Sequence, residues 1–164
     1  VAGPHLAAGQ VRTDLVQLED ICPTVLDFAG RPHPRYRKLG GYLPLAAEDI
    51  PSLPGRSLAP LCRGESPADW RSDAYCESYN NIDSADPTHW ARTVITDRYR
   101  YTRYPCGGGE QLFDLSTDPD EQRNRIGDPA ARTIRNELLE RLLERIVLQD
   151  YPWPMRDLYA MGVH

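Results

Sequence analysis

The 164-residue sequence lacks several features that would assign a protein to a broad class. No apolar run approaches the roughly 20 residues that a membrane-spanning helix needs, so we expect a soluble chain with no membrane partner. Positive charge is in short supply, since 19 Lys and Arg face 24 Asp and Glu and the formal net charge is -5. A nucleic-acid interface needs a basic face to neutralise phosphates, so this balance predicts no nucleic-acid partner.

The first residues show no export signal. Val1 to His5 contain no initiator Met, no charged segment and no apolar segment, so they do not form a signal peptide. A start of this kind favours a chain cut from something longer. The compartment, cytoplasmic or exported, stays open.

Cysteine is scarce, and no Cys-x-x-Cys pair occurs. The four residues are Cys22, Cys62, Cys76 and Cys106. If all four pair, three disulfide connectivities are open. We expect most to be ordinary thiols, because free Cys behaves as a small buried hydrophobe. Cys22 in particular is expected to face a core.

A short helix is predicted to end at Gly30. Asp20 is a suitable N-cap, Pro23 falls in the first turn, and Gly30 is a C-terminal stop. One side is apolar at helical spacing, through Ile21, Val25, Leu26 and Phe28. Because a lone helix of this length is marginal in water, it must pack against more than itself.

Residues 31 to about 70 are rich in proline and poor in periodic apolar runs. This composition predicts an irregular connection that drapes over neighbouring protein. It also holds the basic cluster of the chain, formed by Arg31, His33, Arg35, Arg37 and Lys38. That cluster could steer an anionic substrate, although a solvated or salt-bridging loop is the favoured interpretation.

An α+β unit is predicted from about residue 72 to residue 150. Four β-rich segments cover residues 74–79, 91–96, 99–104 and 110–115, and Asp97-Arg98 is a two-residue hairpin connection. A long helix follows Asp128-Pro129, and its apolar stripe should lie on one face of a small antiparallel sheet of about four strands. The stripe consists of Ile134, Leu138, Leu142 and Ile146. The charged residues of the helix are expected on its solvent side, namely Arg135, Glu137, Glu140, Arg141, Glu144 and Arg145.

Four motifs occur in a specific order along the chain. Asp-Ile-Cys-Pro-Thr-Val-Leu-Asp-Phe-Ala-Gly ends at Gly30, and Gly-Arg-Ser-Leu-Ala-Pro-Leu begins at Gly55. Thr-Asp-Arg-Tyr-Arg-Tyr begins at Thr96, and Leu-Phe-Asp-Leu-Ser-Thr-Asp-Pro-Asp-Glu begins at Leu112. In this order they resemble the C-terminal part of an arylsulfatase-like sulfatase, a member of the alkaline-phosphatase-like superfamily.

The resemblance implies a parent enzyme and a division of the chain. Residues 1–71 would be a remnant of the large α/β catalytic domain, and residues 72–164 its C-terminal subdomain. The parent would hydrolyse sulfate esters with a formylglycine and calcium, both upstream. This chain has no C/S-x-P-S-R motif, so it is expected to be inactive alone, with no catalytic residue. It would shape the substrate mouth and support the fold or an oligomer, and a homo-oligomer is an option for the parent.

The resemblance also suggests where substrate contacts and metals should and should not be. The subdomain overhangs the active-site mouth in several sulfatases, so His89 or Trp90 could touch the organic part of a substrate. The alternative is a Trp packed at a strand start beside a surface His. Asp118 to Glu121 lack the oxygen spacing of a calcium loop, so a structural turn is expected there. The four histidines share no metal-ligand spacing, and no metal site is expected in this chain.

Two other functions remain open. The chain could be a free-standing binding or assembly module that kept the subdomain and lost the chemistry. Within the superfamily, phosphonate or phosphate esters are also credible substrates. The substrate, the natural chain length and the oligomeric state are not determined by the sequence.

Overall fold

The computed structural model describes residues 2–32, 55–79 and 89–149. These residues divide between two compact units. Residues 2–12, 18–32, 55–67 and 147–149 belong to the first unit, and residues 13–17, 68–79 and 89–146 to the second. The assignment of residues 1–71 to a catalytic domain stays a prediction.

The first unit contains the short helix α1, Ile21–Phe28, which follows a 3-10 turn at Leu18–Asp20. Its end matches the predicted glycine stop. Gly30 has φ +63°, and the amide of Arg31 donates to the carbonyl of Leu26, which closes the last turn. Its start differs, because the Asp20 side chain makes no capping bond to α1.

Asp20 instead connects α1 to a segment 36 residues further along the chain. The amide of Arg56 donates to Asp20 Oδ1 at 2.7 Å, and the amide of Leu58 donates to Thr24 Oγ1 at 2.8 Å. A third bond runs from Ser57 Oγ to Asp27 Oδ2 at 2.7 Å. Two of the sequence motifs therefore meet through hydrogen bonds, and we call these three contacts the α1 clamp.

The segment after the clamp is partly helical, not wholly irregular as expected. Helix α2, Ala59–Cys62, begins directly after it, and Ser57 Oγ accepts from the amide of Ala59 at 3.2 Å. Proline in the first turn removes no intrahelical bond, so Pro60 is compatible with this turn. Residues 33–54, where most of the predicted draping connection falls, lie outside the described residues.

The second unit contains a four-stranded antiparallel sheet in the order β1-β2-β3-β4. The strands are β1 Asp73–Tyr79, β2 Trp90–Thr96, β3 Tyr99–Tyr104 and β4 Gly109–Asp114. Each lies within about one residue of its predicted range. Asp97 and Arg98 connect β2 to β3 as predicted. Thr96 Oγ1 accepts from the amide of Tyr99 and helps to close this turn.

The long helix α3, Arg132–Gln149, packs on one face of this sheet. A 3-10 turn at Pro129–Ala131 precedes it, and Asp128 caps that turn by accepting from the amide of Ala130. The sheet contributes a row of opposed buried residues, namely Tyr75, Val94, Tyr101 and Leu112. Leu138 and Leu142 of the predicted stripe complete the core. The predicted α+β fold is confirmed.

Two expectations about side chains were wrong. Arg135, Arg141 and Arg145 were expected on the solvent side of α3, but all three reach carboxylates of the sheet. Arg135 pairs with Glu110, and the other two pair with Asp73. Cys22 was expected to face a core but is exposed, because α1 turns Pro23 and Thr24 inward instead. All four cysteines are free thiols.

Candidate functional site

The two predicted substrate-facing residues lie at the start of β2. His89 immediately precedes the strand and is exposed, whereas Trp90 is its first residue and is half-buried. Trp90 lies opposite Tyr79 in the sheet, and the two rings make an edge-to-face contact with centroids 5.4 Å apart. Trp90 is thus packed at a strand start. The loop at residues 80–88 lies outside the described residues.

Next to Trp90, a row of charged residues crosses the face of the sheet on which α3 packs. Glu77, Arg92, Arg103 and Glu110 lie opposite one another on successive strands. We call these four residues the charged row. The Glu77–Arg92 pair is separated by 3.4 Å and the Arg103–Glu110 pair by 3.0 Å. Directly opposed opposite charges stabilise neighbouring strands, so the two outer pairs favour this register, whereas the central Arg92–Arg103 pair places two like charges opposite each other.

Arg135 joins the charged row from α3. Its Nε and Nη2 each donate to Glu110 at 2.7 Å, a bidentate contact that is geometrically specific. This contact, with the Tyr101 hydroxyl and Arg103, lowers the pKa of Glu110 against the opposing effect of burial. Glu110 is therefore a carboxylate at neutral pH.

Tyrosine hydroxyls also donate to the charged row. Tyr75 and Tyr79 donate to Glu77, and Tyr101 donates to Glu110. Burial, reinforced by the bond to Glu110, raises the pKa of Tyr101 to about 12. Burial and Glu77 likewise raise the pKa of Tyr75. Tyr75, Tyr101 and Glu110 therefore keep one protonation state near neutral pH, which suits a structural role and not general acid–base catalysis.

A cavity of about 310 Å³ opens beside the charged row within the second unit. The sheet side contributes Trp90, Arg92, Arg103 and Pro105, and α3 contributes Leu142, Leu143 and Ile146. Its walls are mainly apolar, and two guanidinium groups supply its polarity. Sequence reasoning missed this cavity, although the two-residue period of β2 and β3 already puts Trp90, Arg92 and Arg103 on one face.

The acidic turn after β4 is structural. The Asp118 carboxylate accepts from the amides of Gln122 and Arg123, and Asn124 Oδ1 accepts from the amides of Leu112 and Ile126. Because amides already occupy the Asp118 oxygens, the donor set does not fit calcium. In the described ranges as a whole, no three His, Cys, Asp or Glu side chains are grouped so as to hold a metal ion.

Asp114 anchors the start of that turn. Arg98 donates to both of its carboxylate oxygens, at 3.2 and 2.9 Å, and the Ser116 hydroxyl and amide donate as well. Arg98 and Ser116 hold the pKa of Asp114 well below its usual range, despite burial. Of the other arginines in or beside the strands, Arg92 and Arg103 pair across the sheet with Glu77 and Glu110, whereas Arg98 pairs with Asp114 and Arg100 with Glu121.

The first unit has an exposed apolar stripe along α1. It consists of Leu18, Ile21, Val25 and Phe28, with exposed fractions of 84%, 52%, 60% and 44%. Meanwhile Thr24 and Pro23, on the opposite side, are buried. Large apolar residues that recur at helical spacing on an exposed face mark an interaction surface more often than single exposed residues do.

The predicted basic cluster is described at only one of its residues. Of the basic cluster, Arg31 is exposed, whereas His33, Arg35, Arg37 and Lys38 lie outside the described residues. As for membranes, none of the helices in the described ranges combines the length and apolar character needed to span a bilayer.

Comparison with known proteins gives a family. Residues 3–147 match the family model described as N-sulphoglucosamine sulphohydrolase, C-terminal. The chain is 33% identical over 140 residues to the Delta 4,5-hexuronate-2-O-sulfatase of Bacteroides thetaiotaomicron, covering 85% of this chain and 24% of that protein. It is 34% identical over 127 residues to human arylsulfatase K, covering 74% of this chain and 20% of that protein.

Solved structures agree with this family. A 2-O GAG sulfatase superposes with a TM-score of 0.67 at 28% identity, covering 92% of this chain and 29% of that one. A phosphonate monoester hydrolase from Silicibacter pomeroyi superposes with a TM-score of 0.68 at 23% identity, over 94% of this chain and 29% of that one, which shows a shared fold. The chain spans about a quarter of the length of the curated relatives it matches. It belongs to the family of C-terminal sulphohydrolase domains.

Proposed function

We propose that this chain is the C-terminal part of a hydrolase that cleaves sulfate esters. The formylglycine and calcium of that chemistry would be held by an upstream catalytic part, because this chain has no C/S-x-P-S-R motif and its acidic turn does not fit calcium. The observation that carries the proposal is that most of the chain aligns with sulfatases of which it covers only about a quarter. By itself the chain is inactive, and it supports the fold and bounds the substrate mouth.

The apolar stripe of α1 supports an upstream partner. Val25 and Phe28 are 60% and 44% exposed, although the α1 clamp holds the opposite side of the helix in place. Full burial of such a side chain contributes roughly 1.5–3 kcal/mol, and about half of that remains available at each of these half-exposed residues. We propose that the stripe packs against the catalytic part of the same polypeptide.

His89 is the better candidate of the two predicted substrate contacts. It is exposed, whereas the Trp90 ring is already engaged with Tyr79. In the proposed enzyme, His89 would face the organic part of the substrate at the mouth, and Trp90 would hold the strand start beneath it. Substitution of His89 by Ala should then raise KM more than it lowers kcat, because a remote contact contributes mainly to binding.

The mass and peptide map of the native polypeptide test the proposal directly. We expect a protein several times the 18.6 kDa of this chain, with a C/S-x-P-S-R peptide that carries the mass change of formylglycine. A native polypeptide of 18.6 kDa would overturn the catalytic proposal and leave the binding or assembly module.

Activity measurements separate the ester classes. Phosphonate monoester hydrolases share this fold, so aryl sulfates and aryl phosphonate monoesters should be compared on the same preparation. We expect the kcat/KM for the sulfate ester to be the higher, and the reverse ranking would favour the phosphonate alternative. Light scattering on that preparation would show whether the parent forms a homo-oligomer.

A pair of matched variants tests the role of the stripe. In the full-length polypeptide, Val25→Asp should lower stability by about 2–4 kcal/mol, since it places a charge in an apolar contact. Val11→Asp is the control, because Val11 is 93% exposed in the same unit but lies off the stripe. Equal unfolding midpoints for the two variants would show that nothing packs on the stripe.

A further inference from the structure

The cavity in the second unit has an apolar wall on one side and, on the other, more guanidinium groups than carboxylates. At about 310 Å³ it is near the lower limit of small-molecule sites, which begin at about 300 Å³. That volume suits one or two fused rings. Every residue that lines the cavity belongs to the second unit.

The α3 side of the cavity presents apolar surface to water. Leu142 is buried in the core, but Leu143, in the next position, is 53% exposed at the rim. Ile146 lies one turn further along the helix and is half-buried. A ligand with an apolar body would remove this surface from water, which is the main favourable contribution to binding in such pockets.

The sheet side of the cavity presents an excess of positive charge. Arg92 and Arg103 line it, and their partners Glu77 and Glu110 belong to the same charged row. Arg135 neutralises Glu110 with two bonds of 2.7 Å, so three guanidinium groups share two carboxylates.

Arg103 is the group best placed to take an external anion. It shares Glu110 with Arg135, and its side chain remains 49% exposed. A guanidinium carries five N–H donors in a planar fork that suits sulfate, sulfonate and carboxylate oxygens. The remaining charge and donors at the cavity therefore match one anionic group.

We propose that this cavity binds a small amphiphilic anion, with one sulfate, sulfonate or carboxylate group against Arg103 and a ring-sized apolar body against Leu143 and Ile146. The site acts by binding alone and breaks no bond. It does not depend on the proposed hydrolysis, because it lies entirely in residues of this chain.

Calorimetric titration of the full-length native polypeptide with 2-naphthalenesulfonate tests the proposal. A ligand of this size should bind with a dissociation constant of about 0.1–1 mM. The neutral isostere naphthalene-2-sulfonamide should bind at least about tenfold more weakly, since it lacks the charge that complements Arg103. Absence of binding, or equal binding of both compounds, would overturn the proposal.

Two pairs of variants assign the binding to this cavity and not to an upstream catalytic site that also accepts a sulfonate. Leu143→Asp adds a negative charge at the rim and should weaken binding by about tenfold or more. Leu148→Asp is its control, because Leu148 is a 61% exposed leucine of the same helix that does not line the cavity. Arg103→Met should weaken binding of the sulfonate but not of the sulfonamide, and Arg132→Met, at an exposed arginine of α3, should change neither.

Unfolding midpoints distinguish a lost site from a lost fold. The Arg103→Met variant keeps the Glu110–Arg135 contact, so its midpoint should stay close to that of the parent. Sulfonate binding that survives both Leu143→Asp and Arg103→Met would belong elsewhere in the polypeptide and would refute the cavity as the site. Those results would leave the assignment of sulfate-ester hydrolysis untouched, since activity is measured separately.

Discussion

Gly55, which directly precedes the α1 clamp, should be highly intolerant of substitution. Its φ is +97°, and a Cβ built on it would lie 2.2 Å from the carbonyl oxygen of Glu19 and 2.7 Å from its carbon. Both contacts are with backbone, so no side-chain rotation relieves them. Gly55→Ala must therefore separate the segment carrying Arg56 from the turn that precedes α1.

The size of the effect follows from two contributions. An unfavourable φ costs a residue other than glycine about 1–3 kcal/mol. Separating the segments weakens the 2.7 Å bond from Arg56 to the fully buried Asp20 carboxylate, and hydrogen bonds to charged groups contribute about 1.5–3 kcal/mol. Together they amount to about 2.5–6 kcal/mol. Gly30→Ala is the matched control, because Gly30 has φ +63° but nothing within 4 Å of a Cβ, and its cost should be about 1–2 kcal/mol.

Hydrogen exchange at the Leu58 amide is the suitable assay. This amide donates to Thr24 Oγ1 within the α1 clamp, so its exchange reports local opening whether or not the full polypeptide unfolds in two states. A cost of about 3 kcal/mol corresponds to a loss of protection of about 100-fold or more. For Gly30→Ala the loss should be about fivefold to thirtyfold. Equal losses in both variants would refute the argument from close approach.

Three further predictions concern single side chains. Thr24→Val keeps the shape but leaves the Leu58 amide without its acceptor, so local stability by hydrogen exchange should fall by about 1–3 kcal/mol. Asn124→Leu removes the amide side chain that pairs with the Leu112 and Ile126 amides and the Glu110 carbonyl. It should lower the free energy of unfolding in urea titration by about 2–4 kcal/mol, and Gln122→Leu is the control. Asp114 has a depressed pKa in the folded state, so the stability that its carboxylate contributes is complete above the ordinary pKa of 3.8 and is lost as the pH falls through the folded-state pKa. The free energy of unfolding should therefore fall less steeply below about pH 4 in Asp114→Asn than in the parent. Identical slopes would contradict the assigned pairing of Asp114 with Arg98.

The elements of the second unit were predictable because their signals are local. Alternation in the segment from Trp90 to Thr96, the turn at Asp97-Arg98 and the next alternating run determine a hairpin within about 15 residues of sequence. The stripe from Ile134 to Ile146 has the helical period, and an apolar stripe must be covered, so its packing on the sheet followed.

What the sequence did not predict depends on register and rotation. Whether Arg135 faces solvent or contacts Glu110 depends on the rotation of α3 about its own axis. The apolar period of the sequence defines that rotation only approximately. Asp20 has the residue type and position of an N-cap, yet a segment 36 residues away offers its amide to the same carboxylate. Long-range partners of this kind compete with local rules and override them when the site is buried.

The two units differ in how far each is complete by itself, and this difference bears on function. In the second unit the apolar stripe of α3 is covered by a row of buried sheet residues, and the charged row is paired through Arg135. In the first unit the α1 clamp satisfies the polar side of the helix, while Val25 and Phe28 remain largely exposed. The three hydrogen bonds of the clamp fix the orientation of α1, and this orientation keeps Val25 and Phe28 on the outward face. The first unit, which leaves the apolar stripe of α1 exposed, is also the unit whose motifs resemble the end of a catalytic domain. This is the arrangement expected if an upstream part of the polypeptide both carries out the hydrolysis and packs against the stripe.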